Sequence, residues 1–238
     1  NGYMTKECTK EISLYLDAAN VDLKFFSDDA YKKNCAGSLN PVLDTIQYMK
    51  SLGIWVEITT LLIPGINDSE EELSGIARFI AGIDKGMPWH ISRFHPDYKF
   101  SGYAPTPEPT LKKAQALGVE AGLEFVYVGN VSGWGNDTFC HRCKKRLIKR
   151  ESFSILEYNI KEDSCASSSI LIEQSCGVDG YLSAPVNYTC PNGCSNGFCI
   201  SNPSGLVFPK PFLATNNLDA GIITGVMAPS TDLAAAVD

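Results

Sequence analysis

The chain has no apolar run of the roughly 18 residues that a membrane-crossing helix requires, so no span is expected. It has no excess of positive charge. Lys and Arg number 20 against 27 Asp and Glu, a net charge of -7, which excludes a fold-wide basic footprint for nucleic acid. No signal-peptide pattern opens the sequence, where Asn1-Gly2-Tyr3-Met4 leads directly into polar residues, and the first part of the chain reads as cytoplasmic. The first residue is not Met, and the reading is of a processed chain or a piece of a longer one. No internal repeat and no glycine-rich cofactor motif is present. Cysteine is nearly missing from the first part. Of nine, only Cys8 and Cys35 precede residue 140, and the rest lie between Cys140 and Cys199. Scattered cysteines in apolar-patterned sequence are ordinarily reduced and inert, but a cluster needs its own explanation.

What is present is 238 residues, 44% hydrophobic, enough to bury a sizeable core in one or two domains. Thr5–Leu16 carries Cys8, Ile12, Tyr15 and Leu16 at helical spacing, and Asn20–Phe26 reads as a strand. Asn40-Pro41 reads as a helix start, with Val42, Leu43, Ile46, Met49 and Leu52 on one face and Gly53 as the stop. Ile54–Ile63 is β-rich. Ser69 and Glu72 have capping-box spacing ahead of Leu73, Ile76, Ala77 and Ile80. Trp89–Phe94 is the next strand, Leu111–Ala121 the next helix and Phe125–Val128 the last strand of the series. Strands alternating with helices predict an α/β fold with a parallel sheet. Four strands cannot close an eight-stranded barrel, so part of a TIM-type barrel with sequence missing upstream is the expectation. A small open sheet or a self-pairing homodimer are the alternatives. The expected organisation is an α/β part over 1–135, a CxxC region over 136–164 with a hairpin near 151–164, a small Cys-rich module over 165–200 and a flexible tail over 201–238.

Several residues could carry chemistry. Asp22 and Lys24 are two apart on a strand and share a face, as a site or as an ordinary ion pair. His90 shares a face with Ser92, and Arg93 and His95 add polarity near that strand's end. Thr59 and Thr60 interrupt an otherwise apolar strand. Cys140-x2-Cys143 has the spacing of half a tetrahedral zinc site, with Cys165 and Cys176 as the other two ligands; a redox pair or plain thiols compete with it. Cys190, Cys194 and Cys199 stand in YTCPNGCSNGFC, where Pro, Asn and Gly suit tight turns. That segment reads like an extracellular disulfide module, and Asn187-Tyr188-Thr189 is a glycosylation sequon.

An ordered set of motifs is more specific than any of these alone. It runs Asn1-Gly2-Tyr3-Met4-Thr5, Asp22-Leu23-Lys24, TTLLIPGINDSEEE (59–72), PWHISRFHPDYK (88–99), PTPEPTL (105–111), YVGNV (127–131) and NDTFCHRC (136–143). Over about residues 1–165 the chain resembles radical S-adenosylmethionine proteins of the AmmeMemoRadiSam type, relatives of the pyruvate formate-lyase activating enzymes. The resemblance implies a partial or full TIM-type barrel in which Asn1-Gly2 ends the fourth strand. It implies that Asp22, Lys24 and His90 line the S-adenosylmethionine pocket, while Thr59 stands where the activases carry Arg. It implies S-adenosylmethionine and a 4Fe-4S cluster in the full-length protein, cleavage of the sulfonium to a 5′-deoxyadenosyl radical, a reductant such as flavodoxin or ferredoxin, and a protein substrate as in the activating enzymes. The cluster-binding CxxxCxxC of the family is absent, so this chain alone is expected to be inactive. Family members end in a second CxxC, and here that pattern breaks after Cys165. Two rival expectations are a non-enzymatic zinc or Cys-rich interaction protein, and a chimera of an enzyme piece with an extracellular module.

Overall fold

The computed structural model describes residues 1–151, 154–160, 164–173, 184–190, 193–195 and 198–199. The tail expected over 201–238 and the proposed ligand Cys176 lie outside the described residues. The described chain divides into two compact units, one holding Asn1–Asn136, Arg150, Glu151 and Ser154, the other Asp137–Lys149 and the described residues from Ile155 on.

The first unit is α/β. Its order is α1 (Lys6–Ile12), β1 (Ala18–Asp22), α2 (Asp28–Cys35), α3 (Leu39–Ser51), β2 (Trp55–Leu62), α4 (Glu70–Ile83), β3 (Trp89–Arg93), α5 (Glu108–Glu120) and β4 (Val126–Gly129). The four strands form one parallel sheet in the order β1-β2-β3-β4, with helical crossovers between neighbours. The sheet is open: β1 and β4 each pair on one side only among the described residues, so the barrel is not closed.

Register sorts the strand residues onto two faces, because in-register neighbours point the same way. Val21, Ile58, Trp89 and Val126 form one row, and Thr60, Ile91 and Val128 another. With Val42, Ile46, Leu73, Ile76, Ile80 and Leu111 from α3, α4 and α5 they build the core. Two polar groups on that face pair with each other: the Trp89 indole Nε1–H donates to Thr60 Oγ1 at 3.0 Å, and that hydroxyl donates to the Leu23 carbonyl at 2.9 Å. Fully burying such side chains contributes on the order of 1.5–3 kcal/mol each.

The local signals acted much as their chemistry dictates, with three shifts. Ser69 Oγ accepts the Glu72 N–H at 3.2 Å and starts α4. Glu72, instead of reaching back to the cap, accepts the Phe26 N–H and ties β1's continuation to α4. Helix α3 starts at Leu39 with Ser38 at the cap position, not at Asn40; its first N–H is satisfied by Asp28 Oδ1 at 2.9 Å, a partner remote from the local pattern. Helix α1 ends at Ile12, leaving Tyr15 exposed and Cys8 off the core, while Thr9 is the buried residue with its hydroxyl on the Thr5 carbonyl at 2.9 Å.

After the parallel sheet the described chain forms short antiparallel strands. β5 (Thr138–Phe139), β6 (Arg146–Glu151) and β7 (Ser154–Tyr158) form one sheet, β8 (Ser164–Ser167), β9 (Ile170–Glu173) and β10 (Val186–Thr189) a second, and β11 (Cys194–Ser195) pairs with β12 (Phe198–Cys199). No described helix is long and apolar enough to cross a membrane.

Candidate functional site

The other face of the parallel sheet is polar. Asp22, Thr59, His90 and Tyr127 occupy one row across all four strands, Asn20 and Glu57 the row before it, and Leu61, Ser92 and Gly129 the row after. Neighbouring strands lie about 4.8 Å apart, so Asp22 and His90 stand roughly 10 Å from each other. A continuous band of donors and acceptors on this scale can hold one small polar molecule, and apolar packing alone does not call for it.

The Asp22–Lys24 pair stands at the β1 end of the band. Lys24 Nζ lies 3.1 Å from Asp22 Oδ2, and both side chains are partly accessible. The backbone of Lys24 is gripped on both sides: its N–H donates to Tyr31 Oη at 3.1 Å, and its carbonyl accepts from Asn67 Nδ2 at 2.7 Å. Burial pushes the Tyr31 phenol up to about 12, so it stays protonated. Asn67 sits in the turn after β2; it also donates to the Leu61 carbonyl at 2.9 Å and accepts the Ile63 N–H at 2.7 Å. Burial likewise raises the Cys35 thiol, with Lys24 opposing and Asp22 reinforcing the effect, so Cys35 stays a thiol beside this pair.

In the middle of the band, His90 Nε2 lies 2.8 Å from Glu57 Oε2, and the ring stacks on Tyr127 with centroids 5.2 Å apart. The other carboxylate oxygen, Oε1, accepts the Trp55 indole N–H at 3.0 Å. Burial works to raise the Glu57 carboxyl, but the hydrogen bond and charge of His90, the Trp55 indole and the charge of Arg150 outweigh it and hold Glu57 below the usual carboxylate range. Thr59 donates to Asn20 Oδ1 at 2.7 Å. The structure thus sets Asp22, Lys24 and His90 on one face, and adds Glu57, which sequence reasoning passed over. Its signal was a lone carboxylate inside the apolar run IWVEITTLLI, two residues from Thr59 and so on the same face.

No family model matches the chain. An uncharacterized protein of Methanocaldococcus jannaschii is 43% identical over 169 residues, 69% of this chain, and the chain spans about half, 50%, of that relative's length. A domain of a pyruvate-formate lyase-activating enzyme from Bacteroides vulgatus has a TM-score of 0.48 at 18% identity, over 53% of this chain and 75% of that one. A radical SAM methyltransferase from Sphaerobacter thermophilus has a TM-score of 0.45 at 14% identity, over 52% of this chain and 37% of that one. Likenesses at these scores are similarities in the course of the chain alone.

Among the described residues the proposed zinc site is not assembled. Cys140 and Cys143 flank a tight turn between β5 and β6, in which the Cys140 N–H donates to the Lys145 carbonyl and the Lys144 N–H to the Cys140 carbonyl, both at 2.9 Å. Neither is in a disulfide; Cys140 is buried and Cys143 half-buried. Cys165, expected as the third ligand, is instead joined to Cys194 in a disulfide. A disulfide sulfur is not a thiolate and does not bind zinc as one, so the expectation is corrected at Cys165. Cys190 is also disulfide-bonded. Among the described residues no group of three or more His, Cys, Asp and Glu could hold a metal ion. Two thiols are half of a tetrahedral set, and the described residues do not complete it.

Proposed function

We propose that the α/β unit is the C-terminal part of a radical S-adenosylmethionine enzyme of the AmmeMemoRadiSam type, and that its polar sheet face is the side turned toward S-adenosylmethionine. The observation that carries the reading is that the Asp22–Lys24 pair and His90, remote from it in sequence, share one polar face of the sheet. The donor set fits such a ligand. Lys24 keeps two N–H donors beyond its bond to Asp22, Asp22 keeps one carboxylate oxygen, and His90 keeps Nδ1, enough to meet the carboxylate, ammonium and hydroxyl groups of an amino-acid nucleoside.

With a 4Fe-4S cluster, S-adenosylmethionine supplies one-electron reductive cleavage chemistry. The cluster's three thiolates are not furnished by the α/β unit, whose cysteines are Cys8 and Cys35. The role of the residues here is therefore to bind and orient. Lys24 and Asp22 hold charged groups at one end of the band, and His90, fixed between Glu57 and Tyr127, holds a neutral polar group in the middle. A flavodoxin- or ferredoxin-type reductant and a protein substrate complete the proposal, in a cytoplasmic setting. The test is calorimetric titration of S-adenosylmethionine into the chain and its K24M and H90A variants. The expected result is measurable binding, weakened about tenfold by either substitution. Binding unchanged in both variants would sink the proposal.

A second reading is favoured by the Cys165–Cys194 disulfide and the bonded state of Cys190. Disulfides persist in oxidising compartments, so the second unit is a disulfide module of extracytoplasmic type joined to an enzyme-derived unit. Thiol titration of protein isolated under non-reducing conditions decides it, with Cys165 and Cys194 blocked under this reading and free under a cytoplasmic one.

A further inference from the structure

We infer that Glu57 is a positioning residue that fixes His90 as its Nε2–H tautomer and thereby presents Nδ1 as a hydrogen-bond acceptor for a hydroxyl or amine of the ligand on the polar face. The inference rests on the reading of that face as a ligand-binding surface and assigns a role to a residue that the reading leaves unused.

The argument is one of valence. An ionised carboxylate has no proton to give, so at 2.8 Å from Glu57 Oε2 the Nε2 of His90 must be the donor. Glu57 has no freedom to turn away, because its other oxygen is held by the Trp55 indole N–H at 3.0 Å and the side chain is only 11% exposed. The imidazole cannot swing, because it stacks on Tyr127 at an interplanar angle of 21°. The imidazolium, whose charge helps to hold Glu57 ionised, donates from both nitrogens; in the neutral form the ring carries one proton, and with that proton committed at Nε2 the lone pair is at Nδ1. Among the described residues His90 makes no bond through Nδ1, and that atom is not among the buried side-chain atoms left without a partner. With His90's side chain 21% exposed, Nδ1 is the ring atom open to a ligand. A carboxylate, an imidazole and an aromatic lid drawn from three adjacent strands is more than the core requires, since Glu57 and His90 stand on the face opposite the apolar one. The same positions filled by Val or Leu would carry no desolvation cost.

The test is side-chain nitrogen NMR on the full chain at about pH 8, above the ordinary histidine value of about 6.5. The chain has only three histidines, so His90 is assigned by difference with H90Q. The expected spectrum shows His90 as the Nε2–H tautomer. In E57Q the single amide oxygen cannot accept from both the Trp55 indole and His90 Nε2, so the Nε2–H preference weakens; in E57L it is lost and the ring averages between tautomers. S-Adenosylmethionine added to the parent shifts the Nδ1 resonance more than Nε2. It binds E57L about tenfold more weakly than the parent. An Nδ1–H or imidazolium ring in the parent, or a ring whose tautomer is the same in E57L as in the parent, overturns the inference. So does ligand binding that leaves Nδ1 unmoved. A chain that shows the expected tautomers but binds no S-adenosylmethionine at millimolar concentration overturns both the functional reading and the ligand-facing role of Nδ1, while a tautomer failure with binding intact overturns only the role of Glu57. Should E57L fail to fold, the parent's tautomer and the shift of Nδ1 on titration decide the matter.

Discussion

Replacing Asn67 by Ala should cost the α/β unit about 3 kcal/mol, although the residue touches no ligand. Asn67 is 1% exposed and uses its whole amide, with Nδ2 donating to the carbonyls of Lys24 and Leu61 and Oδ1 accepting the Ile63 N–H. A buried hydrogen bond is worth roughly 1 kcal/mol net, and a buried polar group left unpaired costs about 1–3 kcal/mol. Three bonds lost together set the figure at about 3 kcal/mol, more if water does not reach the freed carbonyls. N67D separates the contributions. It keeps the bond to Ile63 but turns a carboxylate oxygen toward two carbonyls, so it should be less stable than N67A at neutral pH. Its deficit should shrink as the pH falls toward the ordinary Asp value of about 3.9, because a protonated carboxyl regains one donor. The assay is urea unfolding followed by tryptophan fluorescence. All three tryptophans, Trp55, Trp89 and Trp134, lie in the α/β unit, so the signal reports on that unit alone. N67A also frees the carbonyl of Lys24, and S-adenosylmethionine binding should weaken with it. A stability within about 0.5 kcal/mol of the parent would refute the view that Asn67 clamps the ends of β1 and β2.

Three further outcomes are expected. Gly75 in α4 faces Phe26, and an added Cβ would lie 2.3 Å from Phe26 Cδ1, so G75A should destabilise by about 1–3 kcal/mol in urea melts despite Ala's helix propensity advantage of about 1 kcal/mol. Glu57 is held below the usual carboxylate range, so it stabilises the fold above the ordinary Glu value of about 4.3, and that contribution is lost as the pH falls through the lower folded value; E57Q should show a shallower acid limb in a stability-versus-pH series. In the second unit, alkylation in denaturant without reductant should label Cys140 and Cys143 but leave Cys165 and Cys194 unlabelled, and C194S should make Cys165 reactive, both read by peptide mass spectrometry. Full labelling of Cys165 in the parent would contradict the disulfide.

The sheet was legible because strands such as Trp55–Leu62 are rich in apolar and β-branched residues and helices such as α4 carry a 3.6-residue stripe, Leu73, Ile76, Ala77 and Ile80. Asp22 and Lys24 were legible as a same-face pair from spacing two. What stayed hidden depended on partners remote in sequence. The start of α3 is set by Asp28, eleven residues upstream, and Pro41 merely falls inside the first turn. Helix α2 carries mostly polar residues with only Tyr31 buried, so it has little apolar stripe to read. Glu57 declared itself only by being a carboxylate in an apolar run; its bond to His90 crosses 33 residues, and no local pattern encodes it. At Cys165 the CxxC arithmetic pointed to a metal, because spacing cannot distinguish a thiolate ligand from a half-cystine whose partner lies 29 residues on.

The most direct test of the central claim is a backbone amide NMR titration of the chain with S-adenosylmethionine. The account predicts shift changes centred on Asp22, Lys24, Thr59 and His90, the residues of the polar sheet face, with the apolar row of Val21, Ile58 and Trp89 moving less. Changes confined to residues beyond Asp137, or no change up to millimolar ligand, would contradict it.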